Sequence, residues 1–365
     1  KVINVNGKTI IPGFVETHAH YFGLKKGLLD RQNWTFIANV AWGVTTGLDV
    51  QTSTNDPFAY QDLVDAGQMI GPRAFSTGPG IFSQNDFESK EQYIGLMKRY
   101  RDHYRTRNLK SYIAGNRKQR NYIEQAAHEL GMMPTTEGAL DLKLNLTHAI
   151  DAFHGNEHNF PVTPLYKDVV ELVAQSGMTY TPTLLVTYGG PWGENYYYST
   201  EEVHDDPKVK RFVPDNIIQS KTRRVPWFRK DEYAFSKMAA DAAKIIKAGG
   251  LVGVGGHGQL NGLGYHWELW SLHSGGMTEM EALRAATING AKIIGVSEDV
   301  GSIEYGKLAD LVILDKDPLV NIRNTNSIKY VMKNGVLYQG DTMNEVWPNS
   351  KELETQWWWN DGPEE

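Results

Sequence analysis

Short apolar or β-branched runs alternate with longer amphipathic stretches along most of the chain. The runs have the length and composition of strands. The stretches between them have the period of helices: Ala126, Ala127 and Leu130 share one face of residues 118–130, and Gly177 would end a second helix over residues 165–176. Strands that alternate with helices predict parallel βαβ units, and eight of them predict an α/β fold, a closed (β/α)₈ TIM barrel. The expected strands are residues 14–17, 44–50, 73–76, 109–113, 133–137, 149–153, 178–183 and 251–254.

Both ends of the chain show a different, strand-like pattern. Residues 2–13 alternate and stop at a Pro-Gly pair, and residues 309–314 and 328–339 are again strand-like, with Asn334-Gly335 as a hairpin turn. We expect a small β-sandwich subdomain made of residues 1–12 and 301–345, a barrel over residues 13–300 and a tail over residues 346–365. Because no Met or leader precedes the first strand-like residues, we also expect upstream coding sequence that supplies the missing strands. For Trp357-Trp358-Trp359 in the tail, packing against the protein is favoured over docking on a neighbouring domain.

Composition narrows the classes of function. Hydrophobic residues make up 41% and charged residues 22% of the chain, which is typical of a globular domain with a full core. The net charge of −6 argues against a nucleic-acid partner, and no apolar run approaches the ~20 residues of a membrane span. Cysteine is absent, so a metal would have to be held by His, carboxylate or modified Lys. Nothing indicates a compartment.

His18 and His20 end the first expected barrel strand. Residues two apart on a strand point to the same face, and the carboxyl ends of barrel strands are where active sites lie. Two imidazoles placed in this way can bind one divalent ion. A lone His-x-His is more often a surface or core pair than a pair of metal ligands. The preceding segment therefore decides how strongly the pair indicates a metal site.

That segment gives the pair a specific resemblance. Residues 11–20, IPGFVETHAH, resemble the Pro-Gly-x-(Ile/Val)-(Asp/Glu)-x-His-x-His pattern of the amidohydrolase superfamily. Residues 43–50 and 71–79 are similar to the second- and third-strand motifs of its imidazolonepropionase-like and prolidase-like branch, and residues 301–312 to the segment that leads back into the family's β-sandwich. Further segments resemble amidohydrolase domains fused behind a bacterial β-propeller; these are residues 109–112, 157–159 and 255–259.

The resemblance covers almost the whole chain and implies a cofactor and a partner. The expected cofactor is a divalent metal, one or two ions, with zinc favoured and manganese or iron as alternatives. The expected partner domain is an upstream β-propeller. A homo-oligomer is compatible with the sequence but is not indicated by it.

The resemblance also implies the metal ligands. His18, His20 and His158 are expected to bind metal. Lys110, at the end of the fourth strand, stands where the branch has a lysine that reacts with CO₂ to give a carbamate between two metals; the alternative is a lysine that pairs with Glu137 or extends to solvent. The fifth strand departs from the superfamily because it has no histidine, so Glu137 is expected to be a ligand there, or else an acceptor behind the ligands. His148 and His154 are expected to be structural.

The eighth strand is a second departure, since His257 stands where most members have an aspartate. We expect His257 to be the general base, with direct metal ligation as the alternative. Residues 188–230, rich in aromatic residues, follow the seventh strand and are expected to cover the active site. Tyr188 and His266 are expected to contact substrate. Further candidates for the pocket are Trp192 and Tyr196-Tyr197-Tyr198 as an aromatic wall and Arg223 or Arg224 for a carboxylate.

These expectations amount to metal-assisted hydrolysis of a C–N bond in a small amide or short peptide. A dipeptide or N-acyl amino acid is favoured over a cyclic amide. The competing hypothesis is a non-catalytic or accessory module packed on the upstream β-propeller, which has lost activity with the fifth-strand His and the eighth-strand Asp. Retention of His18, His20, Lys110 and His158 together favours the hydrolase.

Overall fold

The computed structural model of the chain describes residues 2–21, 29–52, 56–82 and 87–359. The strands are β1 (Thr9–Pro12), β2 (Phe14–Ala19), β3 (Val44–Asp49), β4 (Arg73–Ser76), β5 (Asn108–Ser111), β6 (Met133–Glu137), β7 (Gly155–Glu157), β8 (Thr179–Thr181), β9 (Leu311–Leu314), β10 (Ile328–Lys333), β11 (Val336–Gln339) and β12 (Glu345–Trp347). The helices are α1 (Trp34–Ala41), α2 (Asp56–Asp65), α3 (Lys90–Arg99), α4 (Arg117–Leu130), α5 (Leu142–Ile150), α6 (Lys167–Ser176), α7 (Gly193–Thr200), α8 (Pro207–Phe212), α9 (Asp215–Thr222), α10 (Phe235–Lys247), α11 (Leu263–His273), α12 (Glu279–Arg284) and α13 (Gly290–Ile293).

Parallel strands close into a barrel. β2, β3 and β4 pair in one sheet, and β5, β6, β7 and β8 pair in another. Three parallel bridges join the sheets: Ile81 to Ser111, Tyr180 to Val252, and Glu16 to Val254. The eighth position is therefore filled by residues around Val252 and Val254, and the predicted TIM barrel is confirmed.

One barrel strand was misplaced in the sequence-based prediction. Residues 149–153 were expected to form the sixth strand, but α5 runs through Ile150 and the strand is β7. Asp141 begins α5, because its side chain accepts the backbone N–H of Lys143 at 2.9 Å. The apolar run is the end of this helix and the turn after it, with Ile150 exposed.

The helices expected over residues 118–130 and 165–176 form as α4 and α6. α4 begins with a capping box between Asn116 and Gln119 and ends at Gly131, which adopts the left-handed conformation with φ 64°. α6 ends at Gly177 with φ 79°. The capping residues predict these helix ends correctly because they stabilise the end of a helix, where backbone N–H and C=O groups have no partner within the helix.

The chain ends form an antiparallel sheet in the order β1-β9-β10-β11-β12, within the described residues. Asn334 and Gly335 both have positive φ, 55° and 79°, as the predicted hairpin turn requires. Asp310 ties the sheet to the barrel, since its carbonyl accepts the N–H of Gly13 at 2.9 Å and its carboxylate accepts that of Asn334 at 2.7 Å. In the tail Trp358 is buried and its indole donates to the carbonyl of Arg211 at 2.9 Å.

The segment after the seventh strand folds into α7, α8 and α9. Its tyrosine run faces the helix layer: Tyr197 stacks on Trp267 of α11 with centroids 5.1 Å apart, and Tyr198 meets the same ring edge-on. These tyrosines therefore pack the core around α11 instead of forming a wall of the site. Among the residues described, no helix combines the length and apolar character needed to cross a bilayer.

Candidate metal centre

Four histidine rings converge at the carboxyl ends of barrel strands. His18 lies in β2 and His20 directly after it, His158 follows β7, and His257 follows the bridge at Val254. The ring centroids of neighbouring pairs lie between 4.6 and 5.2 Å apart. His18, His158 and His257 each offer a ring nitrogen within 4.8 Å of the other two. The barrel thus brings together the four histidines that were expected to bind metal or to act as the base.

Burial keeps these imidazoles neutral. It lowers the pKa of His18 and of His257 well below the ordinary range, and lowers that of His20 to about 4. The nearby charge of Lys110 acts in the same direction on all three. A neutral imidazole has a free lone pair, and this is the form that binds metal.

Glu16 holds the backbones of two of these histidines in place. Oε1 of Glu16 accepts the backbone N–H of His18 at 2.9 Å. The N–H of Gly256 donates to both carboxylate oxygens, at 2.9 Å to Oε1 and 3.0 Å to Oε2. The N–H of His257 donates in turn to the carbonyl of His18 at 2.8 Å. Burial raises the pKa of Glu16 to about 8. Glu16 occupies the acidic position of the motif at residues 11–20, but the motif alone does not reveal this role.

Glu157 orients the ring of His18. One of its oxygens lies 2.5 Å from Nδ1 of His18, and the other accepts the hydroxyl of Thr135. A ring held by carboxylate at Nδ1 presents Nε2 to the cluster, the usual arrangement behind a metal-binding histidine. Burial raises the pKa of Glu157 to about 7. Its only sequence signal was its place immediately before His158.

The opposite side of the site carries charge. Nζ of Lys110 lies 2.8 Å from Oε2 of Glu137, and Oε1 of Glu137 lies 3.0 Å from Nε2 of His158. Tyr188 donates its hydroxyl to Oε1 of Glu137 at 2.7 Å and stacks on His158 with centroids 4.7 Å apart. Burial alone would raise the pKa of Glu137, but Lys110 and His158 lower it far below the ordinary range, so the carboxylate is ionised.

We call His18, His20 and His257 the imidazole side, and Lys110, Glu137 and Tyr188 the charged side; His158 lies between them.

His266 and His154 lie outside this cluster. His266 is fully buried in α11, where Nε2 lies 2.9 Å from the carbonyl of Trp42 and Nδ1 lies 3.0 Å from the hydroxyl of Thr325. Both ring nitrogens are used, so the structure does not bring His266 to the site as a substrate contact. His154 lies 2.7 Å from the carbonyl of Ile293 through Nε2, in keeping with the structural role expected of it.

The donor set fits a divalent cation. The imidazole nitrogens are neutral, buried and directed at one another, and Nδ1 of His257 has no hydrogen-bond partner among the described residues. A buried polar atom without a partner costs ~1–3 kcal/mol unless something binds it. An ionised carboxylate, Glu137, stands next to His158. Nitrogen and carboxylate oxygen are ligands that zinc, manganese and iron accept.

The comparisons with known proteins agree with this architecture. The sequence model of the amidohydrolase family matches residues 9–338. An imidazolonepropionase of Clostridium tetani is 22% identical over 337 residues, which span 86% of this chain and 77% of that protein. A Xaa-Pro dipeptidase solved with methionine in its active site superposes with a TM-score of 0.63 at 20% identity, over 91% of this chain and 87% of the other. Phenylurea hydrolase B superposes with a TM-score of 0.66 at 17% identity, over 93% and 87%. At these identities the superpositions show a shared fold.

Proposed function

Because the chain belongs to the amidohydrolase family, we propose that it is a metal-dependent hydrolase that cleaves C–N bonds in small amide or peptide-like substrates. The family and its relatives support an enzyme that hydrolyses C–N bonds. One observation carries the metal dependence: neutral ring nitrogens of His18, His158 and His257 lie within 4.8 Å of one another. An accessory module without chemistry would have no reason to keep this cluster buried and unprotonated.

We assign the metal to His18, His158 and His257, with His20 beside them. A bound divalent ion supplies Lewis acidity, which acidifies water and polarises a carbonyl. Placing His257 among the ligands follows from its distances to the other rings; the general-base role is the alternative. If His257 is a ligand, Glu137 is the proton acceptor, since its carboxylate stays ionised and is partly exposed at the mouth.

The charged side bears on the number of ions. A carbamate on Lys110 would have to replace the ammonium that now pairs with Glu137 at 2.8 Å. The carbamate would be a second anionic group in the site, and its oxygens could bind a second metal ion. The carbamate remains a prediction, and density for three extra atoms beyond Nζ in an experimental map, or a dependence of activity on bicarbonate, would support it.

For the substrate we propose a dipeptide or N-acyl amino acid ahead of a cyclic amide. The names of two relatives, a Xaa-Pro dipeptidase and an imidazolonepropionase, cover both classes. Tyr188, on the partly exposed side of His158, is the proposed substrate contact. The upstream β-propeller and a homo-oligomer remain predictions.

The decisive test is metal content by emission spectrometry, after supplementation with zinc, manganese and bicarbonate. We expect about one ion per chain or more, together with hydrolysis of members of a panel of dipeptides, N-acyl amino acids and cyclic amides. His18→Ala should remove metal and activity while circular dichroism stays unchanged. His128→Ala, on the exposed surface of α4, is the matched control and should change neither. Metal content near zero in the wild type would instead favour the accessory module.

A further inference from the structure

Thr183 stands directly behind His158. Its Oγ1 lies 2.6 Å from Nδ1 of His158, and both residues are buried. The N–H of His158 also donates to the carbonyl of Thr181, the last residue of β8, at 2.8 Å, so its backbone and ring are held by residues only two apart in sequence. The hydroxyl is on the side of the ring opposite Nε2, the nitrogen that faces Glu137.

The backbone at Thr183 is strained. Its φ of 47° and ψ of 58° lie in the left-handed region, which β-branched residues rarely adopt. Such a conformation costs ~1–3 kcal/mol and persists only where the surroundings impose it. Strain of this kind is concentrated at functional sites, and His158 and His257 have positive φ as well, 68° and 57°.

Glu268 holds the segment in this conformation. This fully buried residue of α11 accepts the N–H of Leu184 at 2.8 Å through Oε1 and that of Leu185 at 2.9 Å through Oε2. Those two N–H groups open the 3₁₀ turn Leu184–Val186, which begins immediately after Thr183. A carboxylate at the start of a helical turn satisfies N–H groups that have no partner within it. The outer helix α11 is thereby linked to the ring of His158 through two hydrogen-bonded steps.

We propose that Thr183, fixed by Glu268, is a positioning residue that orients His158 so that Nε2 is its metal-binding nitrogen. The inference rests on the proposed function, because it takes His158 to be a ligand. A hydroxyl can both donate and accept, which suits a ring that must change tautomer. With the proton on Nε2, the ring donates to Glu137 and Thr183 donates to Nδ1. If Nε2 bound a cation, its proton would be released to solvent and Nδ1 would take one up, so that Nδ1 would donate to Oγ1 of Thr183.

The test compares the zinc dissociation constants of purified full-length variants, measured by competition with a chromophoric chelator. Thr183→Val removes the hydroxyl at constant shape and should weaken zinc binding by about 10- to 100-fold, the usual effect of losing a partner behind a ligand. Thr183→Ser retains the hydroxyl and should bind nearly as tightly as wild type. Thr287→Val is the matched control: its buried hydroxyl donates to the carbonyl of Leu283 at 2.7 Å and does not belong to the metal centre, so its loss should leave zinc affinity unchanged.

Two outcomes would overturn the role of Thr183 alone: equal affinity of Thr183→Val and wild type, or equal weakening in Thr183→Val and Thr183→Ser. A wild-type protein that binds neither zinc nor manganese would overturn the proposed function as well, so the two failures are distinct. If Thr183→Val does not fold, nitrogen NMR of zinc-loaded wild type labelled at histidine replaces it. The proposal requires a protonated Nδ1 on His158, and a metal-bound Nδ1 would contradict it.

Discussion

The two sides of the candidate metal centre differ in how their buried titratable groups avoid an unpaired charge. On the imidazole side, His18, His20 and His257 are neutral because burial lowers their pKa, and Glu16 accepts the backbone N–H groups of His18 and of Gly256, which precedes His257. On the charged side, Lys110 and Glu137 neutralise each other at 2.8 Å. The charged side thus carries its own opposite charges, whereas the imidazole side presents lone pairs that a cation would satisfy.

This difference separates two kinds of effect. Changes on the imidazole side should remove metal and chemistry but leave folding intact, because neutral rings carry little electrostatic energy in the metal-free protein. Changes on the charged side should reduce the stability of the metal-free protein, because a buried charge loses its partner.

The largest effect is expected on the imidazole side. Replacing His257 with Asn should abolish tight metal binding and lower kcat by more than the ~10²- to 10⁴-fold expected from loss of a general base alone. The reason is that a ligand is lost with the ring. Metal content and kcat, measured on the same preparation, check this. Full metal occupancy with kcat reduced would return His257 to the general-base role and break the proposed division between the sides.

The charged side should show its effect in stability. Lys110→Met removes the buried cation that neutralises Glu137, and the loss of this ion pair should lower the free energy of unfolding of metal-free protein by about 3 kcal/mol at pH 7. Urea denaturation measures it. Lys90→Met, which breaks the exposed pair with Glu129, is the control and should cost at most about 1 kcal/mol. Equal effects in the two variants would show that Lys110 is not an internal counter-ion.

The stability loss in Lys110→Met should depend on pH, and its direction follows from the lowered pKa of Glu137. Because the pKa of Glu137 is lowered in the folded protein, its ionisation stabilises the fold above the ordinary value of 4.5, and this stabilisation is lost as the pH falls below it. The stability difference between wild type and Lys110→Met should therefore be largest near neutral pH and shrink in acid. A difference that grows as the pH falls would contradict the ionised state of Glu137.

The same two sides show how far sequence reasoning reached. His18, His20 and His257 were singled out because strand-end positions and the family resemblance both mark them. His158 was chosen from the resemblance alone, since the predicted sixth strand ended five residues before it. Glu157 was not given a role because its contact with His18 joins residues 139 apart in sequence, and only closure of the barrel brings them together. A pattern along one strand specifies which face a side chain occupies, but not its partner on another strand.

The misplaced sixth strand has a related cause. β7 consists of Gly155, Asn156 and Glu157 and contains no apolar side chain, since its inward residue serves the site. A search for apolar runs therefore passed over it and chose residues 149–153. His266 was misleading for the opposite reason: residues 263–272 of α11 are all buried, so no polar face distinguished a substrate contact from a core residue.

The smallest effect is expected at Tyr188, the residue of the charged side that stacks on His158. Tyr188→Phe keeps the ring that stacks on His158 but removes the hydrogen bond to Oε1 of Glu137. One such bond contributes ~1 kcal/mol, so kcat/KM should fall about fivefold with metal content unchanged. A donor to a carboxylate favours its ionised form, so its loss should raise the pKa of Glu137. If Glu137 is the proton acceptor, the acidic limb of the pH–rate profile should therefore move to higher pH.

Tyr112→Phe is the control for that shift, since the hydroxyl of Tyr112 donates to Gln51 at 3.3 Å and not to Glu137. An acidic limb that stays in place in Tyr188→Phe while kcat/KM falls would assign Tyr188 to substrate contact alone, and the proton would then go to another group. A shift of the acidic limb in Tyr188→Phe, combined with metal loss in His257→Asn, would support separate roles for the two sides. The imidazole side would bind the ion, and Glu137 on the charged side, with its pKa lowered by the Tyr188 hydroxyl, would accept the proton.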